Sequence, residues 1–205
     1  MKITYYGHSC FILESQGFRI ALDPYDDHVP GYRPLRLEAE AVYCSHGHSD
    51  HCWVQAVDVL ESGEPSPFTV TEVPGFHDDV RGAKRGPNMM CVFEAEGLKV
   101  AHLGDIGCMP DEESLEKLNG LDVCLVPVGG FFTIDAKQAK ALMDVLQPRV
   151  VIPMHYRLGG TGFDVIGTLE EFTKLYPADA VTFAGGNALE LSEATPAGVT
   201  VLQYQ

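Results

Sequence analysis

The chain has 205 residues, 45% of them hydrophobic, and no linker divides it, so a single domain over residues 1–205 with one sizeable core is expected. A formal net charge of −15, from 29 acidic against 14 basic residues, argues against a nucleic-acid or anionic-membrane footprint, because both need a surface that displaces counterions from phosphates. No apolar run approaches the ~18 residues of a membrane span, and Met1 to Tyr6 turns polar too early for a signal peptide, so the expectation is a soluble, cytoplasmic protein.

In chain order, Lys2 to Tyr6, Cys10 to Glu14 and Phe18 to Leu22 read as an antiparallel meander, with Gly7 and Gln16-Gly17 as turn signals. Asp23-Pro24 ends the third strand. Its carboxylate either caps the turn or accepts a hydrogen bond from a metal-ligating histidine behind the metal. Asp26 to Leu37, with Pro30, Gly31 and Pro34, reads as a loop of the kind that covers active sites. A strand over 41–45 then leads into His46-Gly47-His48-Ser49-Asp50-His51, and Cys52 to Leu60 reads as helix. The six cysteines form no CxxC pair and read as reduced core residues, except that Cys44 and Cys52 flank the histidine motif and are weighed as ligands.

Three imidazoles and a carboxylate within six residues are what a divalent Zn²⁺, Mn²⁺ or Fe²⁺ takes as ligands. Residues two apart on an extended segment point the same way, so His46 and His48 can pinch one ion, while Asp50 and His51 project differently and can hold a second. This HxHxDH motif, with its later partners, resembles the metallo-β-lactamase superfamily of metal-dependent hydrolases, and within it the compact branch similar to the L-ascorbate-6-phosphate lactonase group. The likeness runs over nearly the whole chain. It implies a four-layer αββα sandwich with ligands gathered at one edge. It also places the His8 turn at the rim of the metal cleft.

Phe68 to Val73 is the next strand, followed by His77, which the resemblance makes the third imidazole of the first metal. Arg81, Lys84 and Arg85 then put three of the fourteen basic residues within five positions. They either neutralise Asp78 and Asp79 or read an anionic substrate, with Arg85 as the candidate residue. Met90 to Ala95 and Leu98 to Leu103 form a strand pair ending in His102-Leu103-Gly104-Asp105. The resemblance gives Asp105 the bridging role between two ions, and His102 is read as a support or packing residue. A short helix over Asp111 to Leu118 precedes a βαβ unit: Asp122 to Val128, Asp135 to Leu146 and Val150 to Pro153. His155 follows its second strand and completes the second metal's set, and Tyr156 is a candidate donor to an oxyanion. Thr168 to Glu171 is a capping-box signature. Val181 to Phe183 and Leu189 to Leu191 look like a terminal hairpin, with Val199 to Leu202 as a last strand.

The expected centre therefore has His46, His48 and His77 on one ion, Asp50, His51 and His155 on the other, and Asp105 between them. The two divalent ions are expected to be Zn²⁺, with Mn²⁺ or Fe²⁺ as alternatives. Two such ions share a water and lower its pKa toward neutrality, giving a hydroxide nucleophile that Asp50 orients. Ser49 stands where the di-iron oxidoreductase branch has an acidic ligand. The chain also ends before the helical domain of thioester hydrolases similar to glyoxalase II, and it lacks an arm like that of the tRNA-processing nucleases. These departures leave hydrolysis of a lactone, ester or phosphodiester bond in a small molecule, anionic if the Arg81 to Arg85 cluster faces the cleft. A non-catalytic metal-stabilised binding or sensor module and a nuclease are the alternatives.

Overall fold

The computed structural model describes residues 1–204. Its strands in chain order are β1 (Lys2–Gly7), β2 (Cys10–Ser15), β3 (Phe18–Leu22), β4 (Leu37–Ala39), β5 (Ala41–Tyr43), β6 (Val57–Val59), β7 (Thr69–Phe76), β8 (Pro87–Ala95) and β9 (Leu98–His102). Helix α1 (Glu112–Lys117), β10 (Val123–Pro127), α2 (Ala136–Leu146), β11 (Val150–Met154), α3 (Leu169–Thr173), β12 (Val181–Phe183), β13 (Ala188–Glu190) and β14 (Gly198–Val201) complete the series. They form a five-stranded sheet in the order β13-β1-β2-β3-β5 and a seven-stranded sheet in the order β12-β14-β11-β10-β9-β8-β7.

The burial pattern follows from strand period and position. In β1 the residues alternate, Ile3 and Tyr5 turning inward, because only one face meets the other sheet. β10 is buried throughout, as parallel strands covered on both faces are, and pairs Leu125 with His102 on one side and Ile152 on the other. Between the sheets lies a core of Ile3, Phe11, Leu13 and Ile20 against Phe93, Val100, Leu125 and Ile152. On the outer face of the seven-stranded sheet, α2 packs Ala139, Leu142, Met143 and Leu146 against Cys124, Val126 and Val151. The capping box of α2 is complete, Asp135 accepting from the Gln138 N–H while the Gln138 side chain accepts from the Asp135 N–H.

The expected four-layer sandwich is present, and its fourth layer is not helical. The outer face of the five-stranded sheet is covered by Tyr25, Val29 and Leu37 from the 24–39 segment and by a two-stranded parallel ribbon of β4 and β6. The expected helix over Cys52 to Leu60 is accordingly a 3₁₀ turn at Val54–Ala56 running into β6, because Val57–Val59 finds a strand partner in Leu37–Ala39. The expected terminal hairpin is also absent among the described residues. β12 pairs parallel with β14 in one sheet and β13 antiparallel with β1 in the other, so the Gly185-Gly186-Asn187 connection crosses between sheets. Thr168 precedes α3 but makes no side-chain capping bond. No helix among the described residues is long and apolar enough to cross a membrane.

Candidate metal centre

Both sheets deliver their strand ends to one edge, and six of the chain's eight histidines meet there. His8 follows β1, the 46–51 turn follows β5, His77 follows β7, Asp105 follows β9 and His155 follows β11. The turn is closed by the N–H groups of His51 and Cys52 donating to the His48 carbonyl at 3.0 and 2.9 Å. Two donor sets emerge: His46, His48 and His77, and His8, Asp50, His51 and His155, with a third grouping of His46, His51 and Asp105 linking them. The sequence pairing of ligands matches these sets except that His8, expected only at the rim, stands inside the second. Its Nε2 is 3.4 Å from Asp50 Oδ2, and its ring lies 4.3 Å from that of His155.

The hydrogen bonds behind the histidines fix which nitrogen faces the centre. His51 Nδ1 donates to Asp23 Oδ2 at 2.7 Å, His77 Nδ1 donates to the Phe132 carbonyl at 3.1 Å, and His46 Nδ1 donates to Ser45 Oγ at 2.9 Å, since that hydroxyl itself donates to Asp23 at 2.6 Å. All three therefore turn an Nε2 lone pair inward. The Nε2 atoms of His51, His155 and His77 stand 3.2, 3.2 and 3.4 Å from Asp105 Oδ2. These approaches lie off the direction of a hydrogen bond, leaving the buried Nε2 of His46, His51 and His155 and Oδ1 of Asp105 without partners. An unpaired buried polar atom costs about 1–3 kcal/mol. Nitrogen and oxygen ligands at about 2.0–2.1 Å on a tetrahedral ion sit about 3.3 Å from each other, so the donors have the spacing of a coordination shell rather than of a hydrogen-bond network. The residues fit divalent metal.

The electrostatics agree. Asp23 and Asp105 are buried, and Asp50 is half-buried. Burial alone would raise the Asp105 carboxyl, but His155 and His51 hold it well below the usual carboxylate range. Asp50 behaves likewise, with burial outweighed by His8 and His51. His51 moves the other way: burial alone would lower it, but the charges of Asp105 and Asp23 raise it. Burial lowers His8 to about 4 and His46 to about 3, which keeps both neutral and able to ligate at ordinary pH.

The other sequence candidates separate clearly. Asp23 is a brace, holding His51 directly and His46 through Ser45, and it also accepts the Ser45 N–H at 2.7 Å. His102 is no ligand: its Nε2 donates to the Ser9 carbonyl at 2.9 Å and its Nδ1 accepts from the Gly104 N–H at 3.1 Å, so both nitrogens are spent. Tyr156 is buried beside the phenols of Tyr5 and Tyr32, and burial pushes its phenol pKa up, so it stays protonated. Arg85 lies over the ring of Phe132. Cys44 and Cys52, expected as thiols, are joined in a disulfide, because the closed turn brings their Cα atoms to 5.2 Å, within bridging range. The sequence reading missed Ser45 and Asn88. The Asn88 side chain accepts from the Asp105 N–H at 2.8 Å and donates to the Leu103 carbonyl at 2.9 Å, fixing the backbone that carries the carboxylate. No spacing marks a lone serine or asparagine as such a brace. Gly104 is required by packing, since a Cβ there would meet Ser45 and Asn88 at a φ of +56°.

A family profile described as the beta-lactamase superfamily domain matches residues 2–155. A UPF0173 metal-dependent hydrolase of Thermococcus onnurineus is 30% identical, the match covering 93% of this chain and 100% of that one. Another UPF0173 metal-dependent hydrolase, from Carboxydothermus hydrogenoformans, is 30% identical over 76% of this chain and 84% of its own. A crystal structure from Thermotoga maritima, of a candidate zinc-dependent hydrolase of the metallo-β-lactamase superfamily, superposes with a TM-score of 0.76 at 36% identity, covering 98% of this chain and 97% of that one. Fold, sequence match and relatives agree, and the chain belongs to the metallo-β-lactamase superfamily, among its metal-dependent hydrolases.

Proposed function

We propose that this protein hydrolyses a lactone, ester or phosphodiester bond of a small molecule at a dinuclear centre, with His46, His48 and His77 holding one divalent ion, Asp50, His51 and His155 the other, and Asp105 shared. The supporting observation is the approach of three imidazole Nε2 atoms to Asp105 Oδ2 at ligand-to-ligand distances without hydrogen bonding. Zn²⁺ suits this nitrogen and carboxylate set, and Mn²⁺ and Fe²⁺ take the same donors. Such ions, when bound, supply Lewis acidity and bring the pKa of water toward neutrality. Asp50, half-buried and held ionised, accepts a hydrogen bond from the attacking water and orients it, while His8 braces that carboxylate from behind. The net charge of −15 favours a small-molecule substrate over nucleic acid.

The test is metal stoichiometry on protein purified without chelators, beside a hydrolysis screen of lactones, carboxylic esters and phosphodiesters on replete and stripped samples. Two equivalents and metal-dependent turnover are expected. If His48→Ala and Asp105→Ala left both metal content and turnover unchanged, the reading would be wrong.

A further inference from the structure

The basic segment after His77 consumes most of its polarity internally. Asp78 accepts backbone N–H bonds from Val80, Gly82, Lys84 and Arg85 at 2.8–2.9 Å, and Lys84 pairs with Asp79 at 3.1 Å. Arg81 lines a separate hollow of about 430 Å³ with Phe76, Ile106 and Met109. The Arg85 guanidinium alone of this cluster faces the centre's surroundings. Its backbone N–H is bound to Asp78, but its side chain has no carboxylate partner among the described residues and lies with Cζ 5.6 Å from the centroid of Phe132. Phe132 in turn belongs to the site: its carbonyl accepts from His77, and its ring is 6.5 Å from that of His155. Phe163 continues this wall, 5.8 Å from Phe132 and 5.8 Å from His8. Both phenylalanines are half-exposed.

We propose that Arg85, Phe132 and Phe163 form the substrate-recognition subsite of this centre, and that it takes a small molecule carrying a carboxylate or phosphate on a flat aromatic body. The position of the scissile bond, beside His155 and Asp105, rests on the hydrolytic reading above; the subsite itself does not. A guanidinium forks onto a carboxylate or phosphate through two parallel N–H bonds, and the contact with the Phe132 ring keeps the Arg85 head beside the centre. Half-exposed rings beside a polar centre offer a face to a flat apolar group. In a chain of net charge −15, a cation with no acidic partner beside the centre also favours anions locally.

The experiment measures calorimetric binding of benzoate, phenyl phosphate, acetate and inorganic phosphate to metal-replete and metal-stripped protein, in the wild type and in Arg85→Gln, Arg85→Lys and Phe132→Leu. Both aromatic anions should bind more tightly than their non-aromatic counterparts, and whichever of the two is tighter names the anion. Arg85→Gln should weaken both about tenfold or more with metal content unchanged, Arg85→Lys should recover part of the loss, and Phe132→Leu should erase the aromatic preference. Equal binding of aromatic and non-aromatic anions, no binding of either aromatic anion, or benzoate and phenyl phosphate affinity unaffected by Arg85→Gln would overturn the subsite. Hydrolysis of 4-carboxyphenyl acetate against phenyl acetate, run in parallel, separates the two readings. Arg85-dependent binding without turnover of either ester refutes the scissile-bond position while the subsite stands.

Discussion

Replacing Asp23 by asparagine tests whether the tautomers behind the centre decide its metal affinity. The substitution keeps shape and removes charge. With its amide oxygen in the Oδ1 position it still accepts the Ser45 N–H, but its NH₂ then faces His51 Nδ1, which must become an acceptor. The His51 proton moves to Nε2, the atom 3.2 Å from Asp105 and aimed at the centre. Flipping the amide restores the acceptor toward His51 and sets two donors against each other at Ser45, so neither orientation satisfies both contacts. Removing a hydrogen-bonded support behind a metal ligand costs 10- to 100-fold in affinity, or about 1.4–2.7 kcal/mol. If two ions bind as proposed, the His51 ion should lose the larger share, because Asp23 reaches His46 only through Ser45 Oγ, and Ser45→Ala should weaken the His46 ion alone. Competition titration of Zn²⁺ against a chromogenic chelator reads both steps. A folded Asp23→Asn protein whose two affinities match the wild type would refute the tautomer argument.

Metal-free protein should lose stability as pH falls from about 6.5. His8 and His46 are lowered in the fold to about 4 and 3, so the unfolded chain takes up their protons first and stability declines with acid until those values are reached; urea melts across this range should show the slope, and His8→Gln should flatten it. Breaking the Cys44–Cys52 bridge by a double serine substitution frees a loop of sequence separation 8 in the unfolded chain and should cost about 2–3 kcal/mol, read as a lower denaturation midpoint under non-reducing conditions. An unchanged midpoint would mean that the bridge is not formed in solution. Gly104→Ala should destabilise by at least about 2 kcal/mol and reduce metal content, because the methyl meets Ser45 and Asn88 and displaces the backbone of Asp105; wild-type stability would show that the strand end has room to move.

What the sequence disclosed was whatever repeats locally. Apolar, strand-like runs bounded by turn signals located β1 to β3 and β7 to β11, and the HxHxDH turn marked the candidate centre because it packs four potential ligands into six residues. Properties decided by partners far along the chain stayed hidden. Asp23 could equally have capped its own turn, since the imidazole it serves lies 28 residues away. Gly185 to Asn187 looks the same whether its flanking strands pair or part, and it is β1 and β14 that draw them into different sheets. The Cys44 and Cys52 spacing carries no disulfide signal of its own; the turn that closes between them brings the sulfurs together.

Backbone conformation joins these two kinds of information. His8, Asp23 and His155 each sit immediately after a strand with φ of 52°, 44° and 53°, in the left-handed region that costs a residue with a Cβ about 1–2 kcal/mol. An extended residue would continue the strand and send its side chain to one face of the sheet. A left-handed one turns the chain at the sheet edge, where the donor atoms gather. The strain is held by contacts between the same residues: the His155 N–H donates to the His8 carbonyl at 2.9 Å, tying the end of β1 in one sheet to the end of β11 in the other. Glycine at any of the three would relieve the backbone and delete the side chain. Retaining histidine and aspartate there means that the fold sacrifices stability at the edge where the donor atoms are unpartnered, which is where strain serves a site that must be shaped before its ligand arrives.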